Sequence, residues 1–295
     1  MPHSTTFGRL GDSAIQRLMV CLRVVAILAA VLFSVVTAHA APPKRIVSFN
    51  LCGDQLAVAL ADPEQIVALS PYATDPAVSV VADQAKRFPQ LDWRAEGTLT
   101  LNPDLVLVGT DDRGTTQRML RRFGVPNYEV QLVTDLDAAR RQIVEFAALV
   151  GHPERGTTLV AALDAAERKL AVAPRPPFRT ALIVERNGYT QGSNSLVAAL
   201  VAKAGLHPPP GAPGGYGGYM PLERILMLKP DVLVLRDPPR AVTDQGALTL
   251  LHPAVQALYP PARQIALPTR LSFCGGPALV AALDYLADEM TRLAR

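Results

Sequence analysis

Side chains that could contact an organic ligand follow most of the predicted strands of this 295-residue sequence. Open α/β sheets bind ligands beyond the carboxyl ends of their strands, so such side chains mark a candidate site. Aromatic rings and arginines are frequent among them, which suits a large, flat or anionic organic ligand. The predicted ligand-binding residues are Asn50, Cys52, Asp54, Gln55, Tyr72, Trp93, Arg113, Arg186, Asn187, Tyr189, Tyr216, Tyr219, Arg236, Asp237, Arg270 and Phe273.

Simpler interpretations compete with a ligand role for several of these residues. Tyr72 and Trp93 also suit half-buried packing positions, and each arginine also suits a solvated or helix-capping position. The glycine-rich stretch 214–218 has neither the lysine nor the strand–loop–helix setting of a phosphate loop, so it is interpreted as a flexible rim of the cleft. The more specific hypothesis is that two or more of these arginines converge on one anionic group of a ligand.

An enzymatic site is not indicated by the motifs of the sequence. There is no G-x-S-x-G nucleophile elbow, no phosphate-binding G-x-x-x-x-G-K-[ST] loop and no H-E-x-x-H zinc motif. His152, His207 and His252 lie in turn-like contexts beside prolines, which makes them poor ligands for a bare metal. The sequence therefore predicts no catalytic residues, no metal ligands and no cofactor. An α/β enzyme or enzyme-like scaffold remains as the alternative function.

The first 40 residues have the features of a secretory signal peptide. Arg9, Arg17 and Arg23 precede an apolar run at 24–38, about 15 residues long and so shorter than the roughly 20 that span a bilayer. The run ends in Ala38-His39-Ala40, a small-x-small cleavage pattern. We expect cleavage after Ala40 and export to the periplasm; an uncleaved membrane anchor is the alternative. A lipoprotein is not expected, because Cys21 lies before the apolar run.

The expected mature chain contains two cysteines, Cys52 and Cys274. Each follows the carboxyl end of a predicted strand. Three alternatives are open for them: two separate thiols, contact with the ligand, or a disulfide that ties together the two lobes predicted below. An oxidising compartment favours the disulfide over ligand contact.

The charge of the sequence gives no sign of a nucleic-acid partner. The formal net charge is +3, and the basic residues are not clustered.

Strands and helices alternate in each half of the expected mature chain. Strands rich in apolar residues are predicted at 45–49, 65–69, 105–108, 127–130, 181–184, 232–235 and 264–267. Such alternation is typical of parallel sheets covered by helices on both faces. We therefore predict two doubly wound parallel α/β lobes, 41–152 and 175–295, with the ligand cleft between them.

One segment recurs in both halves. Glu96 stands seven residues before Pro103-Asp104, and Glu223 stands seven residues before Pro230-Asp231. A buried strand is predicted directly after each Pro-Asp pair. The recurrence indicates that the two lobes are related units.

A single long helix is predicted between the lobes, within the linker 153–174. Leu159, Leu163, Ala166 and Leu170 recur there at helical spacing. About twenty helical residues make a rod of roughly 30 Å. Such a stiff connection implies that the lobes have little hinge freedom.

The order and spacing of several segments resemble the periplasmic binding proteins for cobalamin and ferric siderophores. These segments are 44–56, 66–70, the two Pro-Asp strands and 274–277. The resemblance implies a monomer of two lobes joined by one long helix. It also implies a metal chelate as ligand, with cobalamin, siderophore and haem all open. Delivery would be to an ABC importer permease dimer in the inner membrane, with Glu96 and Glu223 docking onto it.

Overall fold

Four parallel strands form the sheet of the N-terminal lobe, in the order β2-β1-β3-β4. The computed structural model describes residues 41–92, 94–110, 114–236 and 248–295, apart from the side chains of residues 95, 96 and 249. The strands are β1 (Ile46–Ser48), β2 (Ile66–Ala68), β3 (Leu105–Gly109) and β4 (Asn127–Val130). Strands β1 and β3 are buried along their whole length, as expected for a sheet covered on both faces.

Two of the helices of this lobe begin at recognisable capping residues. They are α1 (Leu51–Leu60), α2 (Ala82–Ala85), α3 (Ala95–Thr100), α4 (Gly114–Arg122) and α5 (Leu136–Leu149). The Asn50 side chain accepts hydrogen bonds from the first turn of α1, and the Asp135 side chain accepts one from Ala138 N at 2.7 Å. These caps satisfy backbone donors that a helix start leaves unpaired.

Helix α6 (Pro153–Val172) follows directly and matches the predicted linker helix. Its buried residues Leu163, Ala166 and Leu170 belong to the main hydrophobic core. Arg140 of α5 forms ion pairs with Asp164 and Glu167 of α6. The helix is therefore packed and charge-paired against the N-terminal lobe.

The C-terminal sheet has the order β7-β6-β5-β8-β9 and is mixed. Its strands are β5 (Ala181–Val184), β6 (Tyr189–Gln191), β7 (Gly217–Tyr219), β8 (Val232–Arg236) and β9 (Gln264–Leu267). Strands β5, β8 and β9 are parallel, as predicted. Strands β6 and β7 run antiparallel, which the prediction of a purely parallel sheet did not include.

The described helices of the C-terminal lobe are α7 (Leu196–Lys203), α8 (Leu222–Leu228), α9 (Leu248–Leu251), α10 (Pro253–Leu258), α11 (Thr269–Ser272) and α12 (Ala278–Leu293). Lys169 of α6 lies 2.9 Å from Asp284 of α12, and Lys203 of α7 pairs with Glu167 of α6. Helix α6 is thus tied to both lobes.

The repeated Pro-Asp pairs perform the same structural role in each lobe. Asp104 accepts hydrogen bonds from Lys44 N at 2.7 Å and Arg45 N at 2.8 Å, just before β1. Asp231 accepts from Arg179 N at 2.9 Å and Thr180 N at 2.8 Å, just before β5. Each aspartate therefore joins the start of its lobe's first strand to the loop before a neighbouring strand.

One hydrophobic core runs through both lobes. It contains Phe146 of α5, Leu163 of α6, Leu200 of α7 and Leu283 of α12, all fully buried. Residues Pro42–Arg295 accordingly form one compact unit. The division at 152 and 175 stays a prediction. Within the described ranges, no helix is both long and apolar enough to cross a membrane.

Candidate functional site

A cavity of about 190 Å³ lies where the carboxyl ends of strands from both lobes meet. The N-terminal lobe contributes the loop after β4. The C-terminal lobe contributes the β6 region, the end of β8 and the segment after α11. The lining residues are Leu132, Val133, Thr134, Tyr189, Gln191, Asn194, Ser195, Leu196, Val197, Tyr216, Arg236, Ser272 and Phe273.

A second cavity, of about 180 Å³, adjoins the first. It shares Leu132, Val133 and Phe273 with the first cavity and otherwise follows the carboxyl ends of β1, β3 and β4. Its other lining residues are Asn50, Cys52, Gly109, Thr110, Val130, Gln131 and Gly275. Together the two cavities reach the roughly 300–1,000 Å³ typical of small-molecule sites.

Two tyrosines, one in β6 and one just before its antiparallel neighbour β7, line the wall of the first cavity. The Tyr189 hydroxyl donates to the Tyr216 carbonyl oxygen at 2.9 Å. Gly217 has φ of +108°, and a Cβ added there would lie 2.1 Å from the Thr190 carbonyl oxygen. Only glycine allows this close approach of the two strands. The predicted flexible rim is therefore wrong for Gly217 and Gly218, which belong to a paired strand.

Arg236 provides the buried cation of the first cavity. Its Nη1 lies 2.5 Å from Glu185 Oε1, and its side chain is 9% exposed. Gln191 Nε2 donates to the same Glu185 oxygen at 2.6 Å. The Nε and Nη2 atoms of Arg236 are buried and have no hydrogen-bond partner among the described residues. The guanidinium charge is thus balanced by Glu185, while donors remain for an acceptor on a ligand.

The structure brings part of the predicted set together. Tyr189, Tyr216, Arg236 and Phe273 line the first cavity, and Asn50, Cys52 and Phe273 line the second. Five other predicted residues are partly or largely exposed at the surface but line neither cavity: Tyr72, Arg186, Asn187, Tyr219 and Arg270. Trp93, Arg113 and Asp237 lie outside the described residues.

Asp54 and Gln55 need correction, because both side chains are fully buried and do not fit the predicted contact with a ligand. Helix α1 already begins at Leu51, so positions 54 and 55 face the interior of the lobe. Asp54 Oδ2 accepts from Ser70 Oγ at 2.5 Å, and Asp54 Oδ1 accepts from Ser70 N at 3.1 Å. Burial raises the pKa of Asp54 to about 7, against the opposing effect of hydrogen bonds from Ser70 and Ser48.

Cys52 and Cys274 form a disulfide, with 2.11 Å between the sulfurs and 5.2 Å between the Cα atoms. Of the three alternatives from the sequence, the structure therefore has the bond. It joins the first turn of α1 to the segment between α11 and α12. Cys52 also lines the second cavity.

The two repeated glutamates occupy the starts of related helices. Glu223 is an exposed residue in the first turn of α8. Glu96 lies in the short helix α3. Its side chain is not among those that the structure describes.

Several lining residues were missed from the sequence. Leu132 and Val133 follow β4, a predicted strand end, but they are aliphatic residues of a kind that gives no sign of a ligand site. Gln191, Asn194 and Ser195 follow β6, a strand that was not predicted. Within the described part of the chain, no group of three or more His, Cys, Asp or Glu side chains could hold a metal ion.

A family model and two curated proteins match the sequence of this chain. The family model described as "Periplasmic binding protein" matches residues 46–256. Two cobalamin-binding proteins of Halobacterium salinarum strains are 24% identical over 213 residues, covering 70% of this chain and 55% of each relative. The chain thus spans about half the length of these curated relatives.

Solved structures share the fold over most of the chain. The periplasmic heme-binding protein of Roseiflexus sp. RS-1, in apo form, is 27% identical with a TM-score of 0.68, covering 85% of this chain and 99% of that one. The vitamin B12-binding protein of Vibrio cholerae is 18% identical with a TM-score of 0.65, covering 84% and 97%, and shows likeness of fold alone.

Proposed function

Because the chain belongs to the periplasmic binding protein family, we propose that it captures a metal chelate between its lobes and delivers it to an ABC importer. The observation that carries this proposal is the pair of adjoining cavities at the carboxyl ends of both sheets. This is where open α/β sheets bind ligands. Aromatic rings and one buried arginine in the wall suit an organic body with polar groups.

The proposed ligand is a ferric siderophore, cobalamin or haem. Support comes from the relatives, whose names state cobalamin, heme and vitamin B12 as ligands. Tyr189, Tyr216 and Phe273 would lie against the organic frame of the chelate. Arg236 would donate to an acceptor at its edge. The described lining contains no feature that favours an enzyme instead.

The proposed location is the periplasm, after cleavage of the signal peptide behind Ala40. The protein would act there as a monomer and dock onto the permease dimer of the inner membrane. Glu96 and Glu223 are the proposed docking residues, since they occupy corresponding helix starts in the two related lobes.

Direct titration of the purified mature chain tests the ligand class. Haemin, cyanocobalamin and ferrichrome are titrated separately and followed by absorbance and isothermal calorimetry. We expect saturable one-to-one binding of at least one of them. Tyr216→Ala should weaken that binding, because Tyr216 lines the first cavity.

Phe123→Ala is the matched control, since Phe123 is as exposed as Tyr216 (62% against 63%) and lines neither cavity. Its affinity should equal that of the wild type. Native mass spectrometry of protein taken from its own periplasm identifies the natural ligand. Protein recovered without any metal chelate, combined with no binding of the three probes, would contradict the proposed function.

A further inference from the structure

The two cavities meet at a group of shared apolar side chains, which is called the partition here. Leu132, Val133 and Phe273 line both cavities. Leu132 is 68% exposed and Phe273 is 50% exposed, whereas most large apolar side chains of the described core are buried. The two exposed residues come from opposite halves of the chain. An apolar pair held at the centre of a cleft is a feature that a ligand would cover.

Phe273 follows the strands of the C-terminal lobe, but the residues directly after it, 274–276, contact the N-terminal lobe. The next residue, Cys274, is bonded to Cys52 of α1. A Cβ added to Gly275 would lie 2.2 Å from Val133 Cγ2, and one added to Gly276 would lie 3.2 Å from Leu56 Cδ2. The backbone behind Phe273 therefore lies directly on the N-terminal lobe and is covalently held there.

Leu132 is fixed by separate contacts. The neighbouring Gln131 carbonyl oxygen accepts a hydrogen bond from Gln142 Nε2 of α5 at 2.9 Å, and Gln142 is a buried residue. On the other side of Leu132, Val133 is buried against Gly275. The loop that carries Leu132 is thus held both by helix α5 and by the segment behind Phe273.

The surroundings differ on the two sides of this partition. The first cavity has Tyr189, Tyr216 and Arg236 in its wall. The second has Asn50, Thr110 and Gln131, which are neutral and polar. A ligand that fills both cavities would therefore contact this apolar surface and meet a different polar environment on each side.

We propose that Leu132 and Phe273 determine which chelates fit the cleft, and that the Cys52–Cys274 disulfide acts by positioning Phe273. This inference rests on the proposed function. A chelate with an apolar face, and with a polar group that reaches the second cavity, satisfies both sides of the partition. Chelates that lack either part leave one cavity unfilled.

The first test compares affinities for haemin, cyanocobalamin and ferrichrome in the wild type and in Phe273→Ala and Leu132→Ala. We expect each substitution to weaken the best wild-type probe by about tenfold or more. The ratio of affinities between the best probe and a bulkier one should also change, because truncation joins the two cavities. Phe123→Ala and Leu258→Ala are the matched controls, being exposed residues of the same types that line neither cavity.

The second test examines the disulfide through a double-mutant cycle. Replacing both cysteines by serine should weaken binding of the same probe. Adding Phe273→Ala to that variant should then cause little additional loss, because residues that act through one contact are not additive. Thermal unfolding shows whether the serine variant is folded. If it is not, the same cycle is measured on folded wild-type and Phe273→Ala proteins before and after reduction of the Cys52–Cys274 bond with dithiothreitol.

The possible outcomes separate the two proposals. Binding of a probe by the wild type, with unchanged affinity ratios in both alanine variants, overturns the partition but leaves the proposed function standing. Full additivity of the cysteine and Phe273 changes overturns the positioning role of the disulfide. If the wild type binds none of the probes and protein from its own periplasm carries no metal chelate, the proposed function itself is contradicted.

Discussion

Asp54 is a carboxylic acid in the interior of the N-terminal lobe rather than a ligand contact. Its partner Ser70 also caps the short turn that carries Tyr72, by accepting from Tyr72 N at 3.2 Å. The hydrogen bonds favour the charged form of Asp54, but the loss of hydration outweighs them. The folded protein therefore holds a proton on Asp54 at pH values where the unfolded chain does not.

Asp54→Asn should make stability less dependent on pH. Because the pKa is raised from 3.8 to about 7 on folding, the folded wild type binds more protons than the unfolded chain between these values. Its free energy of unfolding therefore falls as pH rises through this window, by about 4 kcal/mol at most. Asparagine does not titrate, so the free energy of unfolding of the Asp54→Asn variant lacks this decrease.

Urea unfolding at a series of pH values from 4 to 8 measures the difference between the two proteins. Stability of the wild type relative to the variant should decline towards neutral pH and level off above it. A constant difference would show that Asp54 does not titrate on folding.

At the level of single residues, the rule of strand ends selected some side chains that line a cavity and others that face the interior. Tyr189, Arg236 and Phe273 were placed by the rule of strand ends. Asp54 was misplaced because α1 starts only three residues earlier, and three residues of helix are enough to turn a side chain inward. Leu132 could not be identified, since nothing in an exposed leucine indicates whether a cavity lies beside it.

The contact between helices α5 and α6 depends on one small residue. A Cβ added to Gly156 of α6 would lie 2.6 Å from the Cβ of Ala147 in α5. The two helices therefore approach closely at this point, near the start of α6. Glycine is unfavourable inside helices, so its presence here is explained by packing.

Gly156→Ala should destabilise the protein despite the better helix propensity of alanine. Overpacking costs about 1–3 kcal/mol, which exceeds the roughly 1 kcal/mol gained in propensity. Gly114→Ala in α4 is the control, because its Cβ would meet only the flexible end of Arg118, at 3.4 Å. Chemical denaturation of both variants measures the effect. Equal free energies of unfolding for the Gly156→Ala and Gly114→Ala variants would indicate that α5 and α6 can move apart with no loss of stability.

The elements that the sequence could predict are those with a strong apolar pattern. Strands β3 and β8 and helix α6 were placed within one or two residues of their positions. Strands β6 and β7 were missed because each is only three residues long and neither has an apolar aliphatic run: β6 is Tyr-Thr-Gln and β7 is Gly-Gly-Tyr. Their pairing depends on contacts between distant segments, which a local pattern does not contain.

In the molecule as a whole, several kinds of contact connect the two lobes. One core passes through both lobes, and α6 carries ion pairs to α5, α7 and α12. The disulfide adds a covalent connection beside the cavities. Large closure on binding would have to break these contacts.

Ligand binding should therefore leave the overall dimensions nearly unchanged. Small-angle scattering of the mature protein, with and without a bound chelate, measures the radius of gyration. We expect the two values to agree within error. A clear compaction on binding, as hinged two-lobe proteins show, would contradict a rigid connection.

Docking through two corresponding glutamates should be cooperative. A single exposed ion pair contributes only about 0–1 kcal/mol, but two held at a fixed spacing determine orientation. Replacing Glu96 and Glu223 together by alanine should reduce uptake in cells and leave the affinity for the chelate unchanged.

The control replaces Glu64 and Glu129, two glutamates that are exposed and lie outside the repeated segments. It should transport normally. Undiminished uptake in the Glu96/Glu223 variant would exclude these residues as the docking pair.

The bond between Cys52 and Cys274 also imposes an order on the synthesis and folding of the molecule. Ribosomes make chains from the amino terminus, so Cys52 appears 222 residues before its partner. During that interval its thiol has no correct partner within the chain. Oxidation must therefore wait until the second lobe has been made and has folded onto the first. Any chain interrupted before residue 274 carries Cys52 without its bonding partner, which distinguishes it chemically from a finished one.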